Sequence, residues 1–286
     1  GLDVEYGLIE KDLLAVVLHE FGHGLGFSVG PTTSSTGARA AGLPSVWERF
    51  MLDTTTGKRW IDMTNAERAA SARNDRNLVW AGLHGSNVVP STLGFRTEVD
   101  VLNPGSLGVH EAQAAAFGPV IANGNGNTLA GSVVAPLDGN GTSLGCAAFP
   151  NPAAILGKIV LMDRGTCAFA TKVRNAQDAG AVAAIVANNT TGLPGMGGVD
   201  PAIVIPSVGI TQALGTSLRA ALPATYVELQ RNPSVRAGTV ANYPRLYAPT
   251  AFAQGSSVSH WDVSATPNML MEPFINSDLT PAFGLD

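Results

Sequence analysis

The chain is poor in charge, histidine and cysteine: of 286 residues, 14% are Asp, Glu, Lys or Arg, five are His and two are Cys. The formal charge of −5 has no run of lysine or arginine behind it. That excludes the basic footprint of a nucleic-acid or anionic-membrane binder. Long apolar runs are missing too. Gly, Asn or Pro interrupts every stretch before the roughly 20 residues that span a bilayer, so no membrane-spanning segment is expected. The two cysteines, Cys146 and Cys167, flank one strand-like segment; a bridge and a pair of buried thiols both fit that placement. The chain opens on Gly1 with no leader pattern of basic, apolar and small residues, as expected of a processed or excised piece. What is plentiful is apolar surface: 45% of residues are hydrophobic, enough for more than one packed core.

With so few histidines, their placement is informative. "LHEFGHGLGF", residues 18 to 27, sets His19 and His23 four apart with Glu20 beside the first. The apolar positions Leu13, Leu14, Val16, Val17, Leu18, Phe21 and Leu25 recur at helical spacing, predicting a helix from Glu10 to Gly26 that ends among glycines. On a helix, residues i and i+4 lie about 40° apart, so both imidazoles face one ion. Zn²⁺ suits that pair, and Glu20 in the neighbouring sector suits a general base acting on water. Two imidazoles leave the site short of a third ligand.

In the zinc proteases called metzincins the motif extends to HExxHxxGxxH. Gly26 matches its glycine, but Val29 stands where the last histidine belongs. Three histidines remain. His84 in "GLHGS" and His110 in "GVHEA" sit in glycine-rich sequence without a supporting motif, whereas His260 in "SVSHWD" is followed nine to eleven residues later by "NMLMEP". A rival scheme recruits Glu48 of "VWERF", as gluzincin-type enzymes use a downstream helical glutamate; it leaves "SHWD" and "NMLMEP" unexplained.

Taken in order, "HEFGHGLGF", a long insertion, "SHWD", "LMEP" and "LTPAFGLD" resemble the leishmanolysin-like metzincins, in which an insertion separates the glycine from the third histidine. The resemblance implies His19, His23 and His260 as zinc ligands, Glu20 as base and Met271 as the methionine of the turn beneath the metal, with Met269 its competitor. It covers about 60 residues at the two ends of the chain. The insertion exceeds 200 residues, and nothing before the motif matches the family's N-terminal sheet, so the catalytic core is expected to be incomplete at its N-terminus.

Inside the insertion, "GKIVLMDRG" reads as a buried strand, "FATKVRNAQDAG" as a helix, "AVAAIVANN" and "IVIPSVGIT" as further strands and "QALGTSLRAAL" as a helix. Upstream, Thr64 and Glu67 fit a capping box before a short helix, and residues 92 to 130 read as loops with short strands. The span from "GCAAFPNP" to "AIVANN" resembles the protease-associated domain inserted in secreted subtilases, aminopeptidases and sorting receptors. That resemblance implies a bridge between Cys146 and Cys167, an exported and extracellular protein, and a lid or docking surface. Asp163, Arg164 and Lys172 read as isolated, solvated charges. Asn140 and Asn188 or Asn189 are glycosylation sequons.

The fold expected is α+β: a metzincin-like catalytic core split by an inserted α/β protease-associated domain. The boundaries expected are 1–30 for the active-site helix, 31–97 for a connector, 98–230 for the protease-associated domain and 231–286 for the third ligand, Met-turn and C-terminal helix. The function expected is a secreted zinc endopeptidase acting on protein or peptide substrates. The alternative is a non-catalytic binding protein built on the protease-associated domain with a degenerate metalloprotease remnant.

Overall fold

The computed structural model describes residues 13–29, 36–39, 42–121 and 129–273. The beginning of the predicted helix and the segment "LTPAFGLD" lie outside them. The chain divides into two compact units, one formed by residues up to Gly94 and from Gly238 onward, the other by Phe95–Ala237. Residues 36–94, expected as a connector, thus belong to the same unit as the two histidine-bearing segments.

In the first unit, helix α1 (Leu13–Gly24) precedes a small antiparallel sheet in the order β2-β1-β3, made of β1 (Met51–Asp53), β2 (Lys58–Arg59) and β3 (Leu78–Trp80). Helix α2 (Asn65–Ser71) carries the expected capping box: Glu67 N–H donates to Thr64 Oγ1 at 3.3 Å, and Thr64 N–H donates to Glu67 Oε2 at 2.8 Å. Helix α3 (Leu83–Thr92) follows. Buried Arg68 and half-buried Arg39 tie the short stretch around Gly37 to this unit. Arg68 Nε donates to Gly37 O at 2.8 Å, and Arg39 Nε meets Glu48 Oε2 at 2.7 Å.

Several aromatic side chains of this unit form a cluster, with Phe27 4.2 Å from Trp47 and Trp47 3.9 Å from Trp80, centroid to centroid. Trp261 joins it against Phe27 at 4.8 Å. Trp47 Nε1 also donates to Val258 O at 3.1 Å. The C-terminal segment is laid down by backbone bonds: Val258 N–H to Tyr247 O and Tyr247 N–H to His260 O, both 2.8 Å. Its position is therefore fixed although it contains no long regular element.

The second unit is built on an eight-stranded mixed sheet in the order β5-β4-β11-β7-β8-β9-β10-β6. The strands are β4 (Phe95–Asn103), β5 (Gly108–Glu111), β6 (Gln113–Ala114), β7 (Leu129–Val134), β8 (Ile159–Asp163), β9 (Ala183–Ala187), β10 (Ser207–Ile210) and β11 (Tyr226–Arg236). Strands β7, β8, β9 and β10 run parallel; the rest pair antiparallel. Helix α4 (Phe169–Asp178) links β8 to β9 and helix α5 (Gln212–Ala220) follows β10.

Alternation along the strands feeds two cores, because successive side chains of a strand point to opposite faces. Ile159, Leu161 and Ile185 join Leu214 and Leu218 of α5 on one face. Val160, Met162 and Val186 join Val173 and Ala176 of α4 on the other. The elements expected from "GKIVLMDRG" to "QALGTSLRAAL" are present, except that "IVIP" precedes β10 instead of belonging to it. Of the long antiparallel partners, β4 falls where loops with short strands were expected, and β11 was not expected.

Candidate metal centre

Helix α1 holds its two histidines on the side that faces its own unit: His19 is buried, and Ala15 beside it is fully so. Much of the helix's apolar periodicity instead points outward, with Leu13, Val17 and Phe21 exposed. The helix ends in a Schellman arrangement. Gly26 takes a φ of +109°, its N–H donates to His23 O at 3.1 Å, and Phe27 N–H reaches back to Gly22 O at 3.0 Å. That turn places the Phe27 carbonyl 2.8 Å from His23 Nδ1.

The other two rings are held alike. His19 Nδ1 lies 2.8 Å from Leu270 O, and His260 Nδ1 lies 2.8 Å from Ser256 O. A carbonyl oxygen only accepts, so each Nδ1 carries a hydrogen, and in the neutral form of each ring Nε2 is the nitrogen with the lone pair. The three Nε2 atoms converge, 3.2 Å apart on every edge. His19, His23 and His260 form the group able to hold a metal among the described residues. Burial, with His23 and His19 adding to it and the Ser256 carbonyl opposing, pushes His260 down to about 4, so its ring is neutral at pH 7.

Three imidazole nitrogens converging this closely present lone pairs to one another when the rings are neutral, an arrangement that a cation between them relieves. A triangle of this size fits zinc: a point about 2.05 Å from all three nitrogens lies just under ~1 Å off their plane, with nitrogen–metal–nitrogen angles of about 100° and the fourth tetrahedral position open. Donor type, tautomer and spacing all suit Zn²⁺.

Met271 is 1% exposed and lies directly under α1: a Cβ at Gly22 would be 2.4 Å from Met271 Sδ. Trp261 N–H donates to Met271 O at 2.9 Å, tying the turn to the strand-like segment that carries His260. Met269, its competitor, is buried as well. Glu20 is exposed on α1. The remaining candidates are elsewhere. Glu48 is engaged by Arg39 and by Ser45 N–H. His84 is exposed on α3, and His110 lies on β5 with Nε2 2.8 Å from Leu107 O.

Sequence reasoning missed Gly22 and the three carbonyls that orient the rings. A signal for the first was present, since a glycine inside a helix costs about 1 kcal/mol relative to alanine and calls for a packing reason. It also misread Lys172, which is not solvated on a helix surface but fully buried in the second unit. Asp163 meets Arg219 at 2.9 Å and Arg164 donates to Asn188 at 3.0 Å, so neither is isolated. Asn188 is buried whereas Asn140 and Asn189 are exposed. Cys146 and Cys167 are joined in a disulfide.

Among the described residues no helix is long and apolar enough to cross a membrane. Residues 129–218 match the family profile described as "PA domain". Leucine aminopeptidase 2 of Arthroderma otae is 41% identical over 92 residues, which is 32% of this chain and 18% of that protein. ER degradation-enhancing alpha-mannosidase-like protein 3 of Homo sapiens is 50% identical over 50 residues, 18% of this chain and 5% of that protein. The chain thus spans less than a fifth of the length of these curated relatives. Among solved structures, BSAP, a zinc aminopeptidase from Bacillus subtilis, is 21% identical with a TM-score of 0.35, covering 52% of this chain and 36% of that one. The subtilisin-like protease Apa1 from Pseudoalteromonas sp. AS-11 is 19% identical with a TM-score of 0.35, covering 59% and 37%. The profile match begins at the first residue of β7 and ends within α5, the part of the sheet where strands run parallel and helices cover both faces. The second unit of this chain therefore contains a PA domain.

Proposed function

We propose that the chain is a secreted, zinc-dependent peptidase of metzincin type, in which His19, His23 and His260 hold the metal. The observation that carries the reading is the triangle of three lone-pair nitrogens 3.2 Å apart, each ring locked from behind by a carbonyl. Zn²⁺ held by His19, His23 and His260 would supply Lewis acidity, polarising a carbonyl and bringing the acidity of water toward neutral pH. Glu20, about 100° round the helix from His19, takes the proton of the attacking water and delivers it to the departing amine. Met271 closes the site from beneath with apolar surface and holds the turn whose Leu270 carbonyl fixes His19.

The endopeptidase reading rests on the metzincin resemblance. The curated relative named an aminopeptidase shares with this chain 92 residues, a stretch about as long as the PA-domain match. The mannosidase-like relative shows that such a shared stretch travels between different chemistries, which keeps the non-catalytic binding protein as the second reading.

The test is zinc content after dialysis against a weak chelator, paired with hydrolysis of casein and of an aminoacyl nitroanilide. One zinc per chain with chelator-sensitive casein cleavage is expected, and Glu20→Gln should keep the zinc while losing turnover. Zinc-free, inactive protein would support the binding reading. Nitroanilide cleavage without casein cleavage would replace the endopeptidase with an exopeptidase.

A further inference from the structure

The Cys146–Cys167 bridge of the second unit lies against a buried cation. Lys172, on the first turn of α4, has no exposed surface; its Nζ donates to Leu144 O at 2.6 Å and Gly165 O at 2.8 Å and lies 3.4 Å from Cys146 Sγ. Three acceptors for three N–H bonds identify the group as an ammonium. Burial lowers its proton affinity, and Asp138 and Asp163 oppose that. Both carboxylates are already engaged. Asp138 accepts from the backbone of Asn140, Thr142 and Cys146, and Asp163 meets Ser143 Oγ and Arg219. The sulfur is the one partner of Lys172 that can become an anion.

The other half of the bridge closes a tight backbone turn. Cys167 N–H donates to Gly165 O at 2.8 Å across Thr166, whose φ is +63°. This is a three-residue turn with a β-branched residue in the left-handed region, a conformation rarely adopted without outside support. Lys172 holds the Gly165 oxygen and the disulfide holds Cys167, so releasing the sulfur frees one end of the turn.

We propose that this bridge is a site of thiol exchange. A small-molecule thiolate of the glutathione class attacks Cys167 Sγ; a new sulfur–sulfur bond forms there, the Cys146–Cys167 bond breaks, and its electron pair leaves on Cys146. Charge is conserved: one thiolate enters and one departs. The departing thiolate of Cys146 faces the Lys172 ammonium. Gly165 O, 3.7 Å from that sulfur, is capped by the same ammonium. A better-stabilised leaving sulfur leaves faster, so the incoming thiol ends on Cys167.

The test is incubation of the full chain with reduced and oxidised glutathione, acid quenching and mapping of the adduct by mass spectrometry. A single adduct on Cys167 is expected. The free thiol of that adduct, followed by thiolate ultraviolet absorbance, should titrate with a midpoint below about 7.5 instead of the ordinary value near 8.5. Lys172→Met should return the midpoint to about 8.5 or above and slow exchange about tenfold. Should that variant not fold, adduct position and thiol midpoint in the unaltered chain decide alone. No adduct, an adduct on Cys146 or divided evenly, or an ordinary midpoint would overturn the proposal.

Discussion

Gly22 sits between the two histidines of α1, and replacing it by alanine sets two known effects against each other. Inside a helix, Gly→Ala is worth about 1 kcal/mol in favour of folding. Here, however, the new methyl would lie 2.4 Å from Met271 Sδ and 3.0 Å from its Cε. Met271 is buried, so it cannot swing into water; forcing an extra carbon into such a contact costs about 1–3 kcal/mol. The net expectation is a loss of about 1 kcal/mol where an ordinary helix site would gain that much. The site should feel it as well. Leu270, adjacent to Met271, supplies the carbonyl 2.8 Å from His19 Nδ1, and disturbing such a support weakens metal binding about tenfold or more. Urea unfolding of Gly22→Ala and a chelator-competition titration with zinc measure the two quantities. Adding Met271→Ala to Gly22→Ala removes the collision, so the pair should show a coupling of at least about 1 kcal/mol. If Gly22→Ala alone stabilises by the full helix increment and leaves zinc affinity untouched, Met271 is not seated against the helix and the account of the site's floor is wrong.

Other outcomes follow from the same geometry. His260→Ala removes one of three donors and should weaken zinc binding by about a hundredfold or more in the same competition titration, whereas His110→Ala should leave it unchanged. Val258 has φ +66° and a fully buried side chain two residues before His260. Val258→Gly should therefore be more stable than Val258→Ala by about 1 kcal/mol, reversing the usual order, and thermal melts of the two variants would show the opposite ranking if the backbone there is relaxed. Asp138 is buried, which opposes its ionisation, but hydrogen bonds from Thr142, Cys146 and Asn140 outweigh that and hold its carboxyl below the usual value of 3.8. A carboxylate with a lowered folded-state pKa stabilises above its unfolded value and loses that contribution as pH falls through the folded one. Acid unfolding should thus steepen below about pH 4 in the parent chain and flatten in Asp138→Asn, with that variant weaker by about 1–3 kcal/mol at pH 7; identical acid limbs would count against the assignment.

The readable parts of the fold were those in which local pattern and burial agree. β8 and β9 are continuous apolar runs because both faces are covered, and α4 and α5 show a 3.6-residue period against them. β4 and β11 escaped notice because their polar residues are satisfied inside the unit. Glu98 of β4 is buried and held by Arg96 and by Asn232 of β11, and Pro233 and Ser234 in β11 read as turn residues. Lys172 was misread for a related reason: its three partners come from loops whose course no sequence period reports. At the metal centre the i, i+4 pair was legible from helix geometry alone. The place of His260 came from motif resemblance, since nothing local to residues 256–262 encodes a ligand. The carbonyls behind the rings belong to any residue type and leave no mark in the sequence.

His23 and His260 are 237 residues apart along the chain, yet most of that separation is taken up by the second unit. Within that unit the first and last strands are neighbours: Phe95 at the start of β4 pairs with Arg236 at the end of β11. Once folded, those 143 residues return the chain to nearly the point at which it left, and the tether between the histidines shrinks to under half its length. Synthesis supplies the order. The second unit is continuous in sequence and can complete itself on the ribosome, while α1 waits for its partner. The third imidazole, His260, follows the second unit in sequence, so the three-histidine cluster can assemble only after that whole unit has been synthesised.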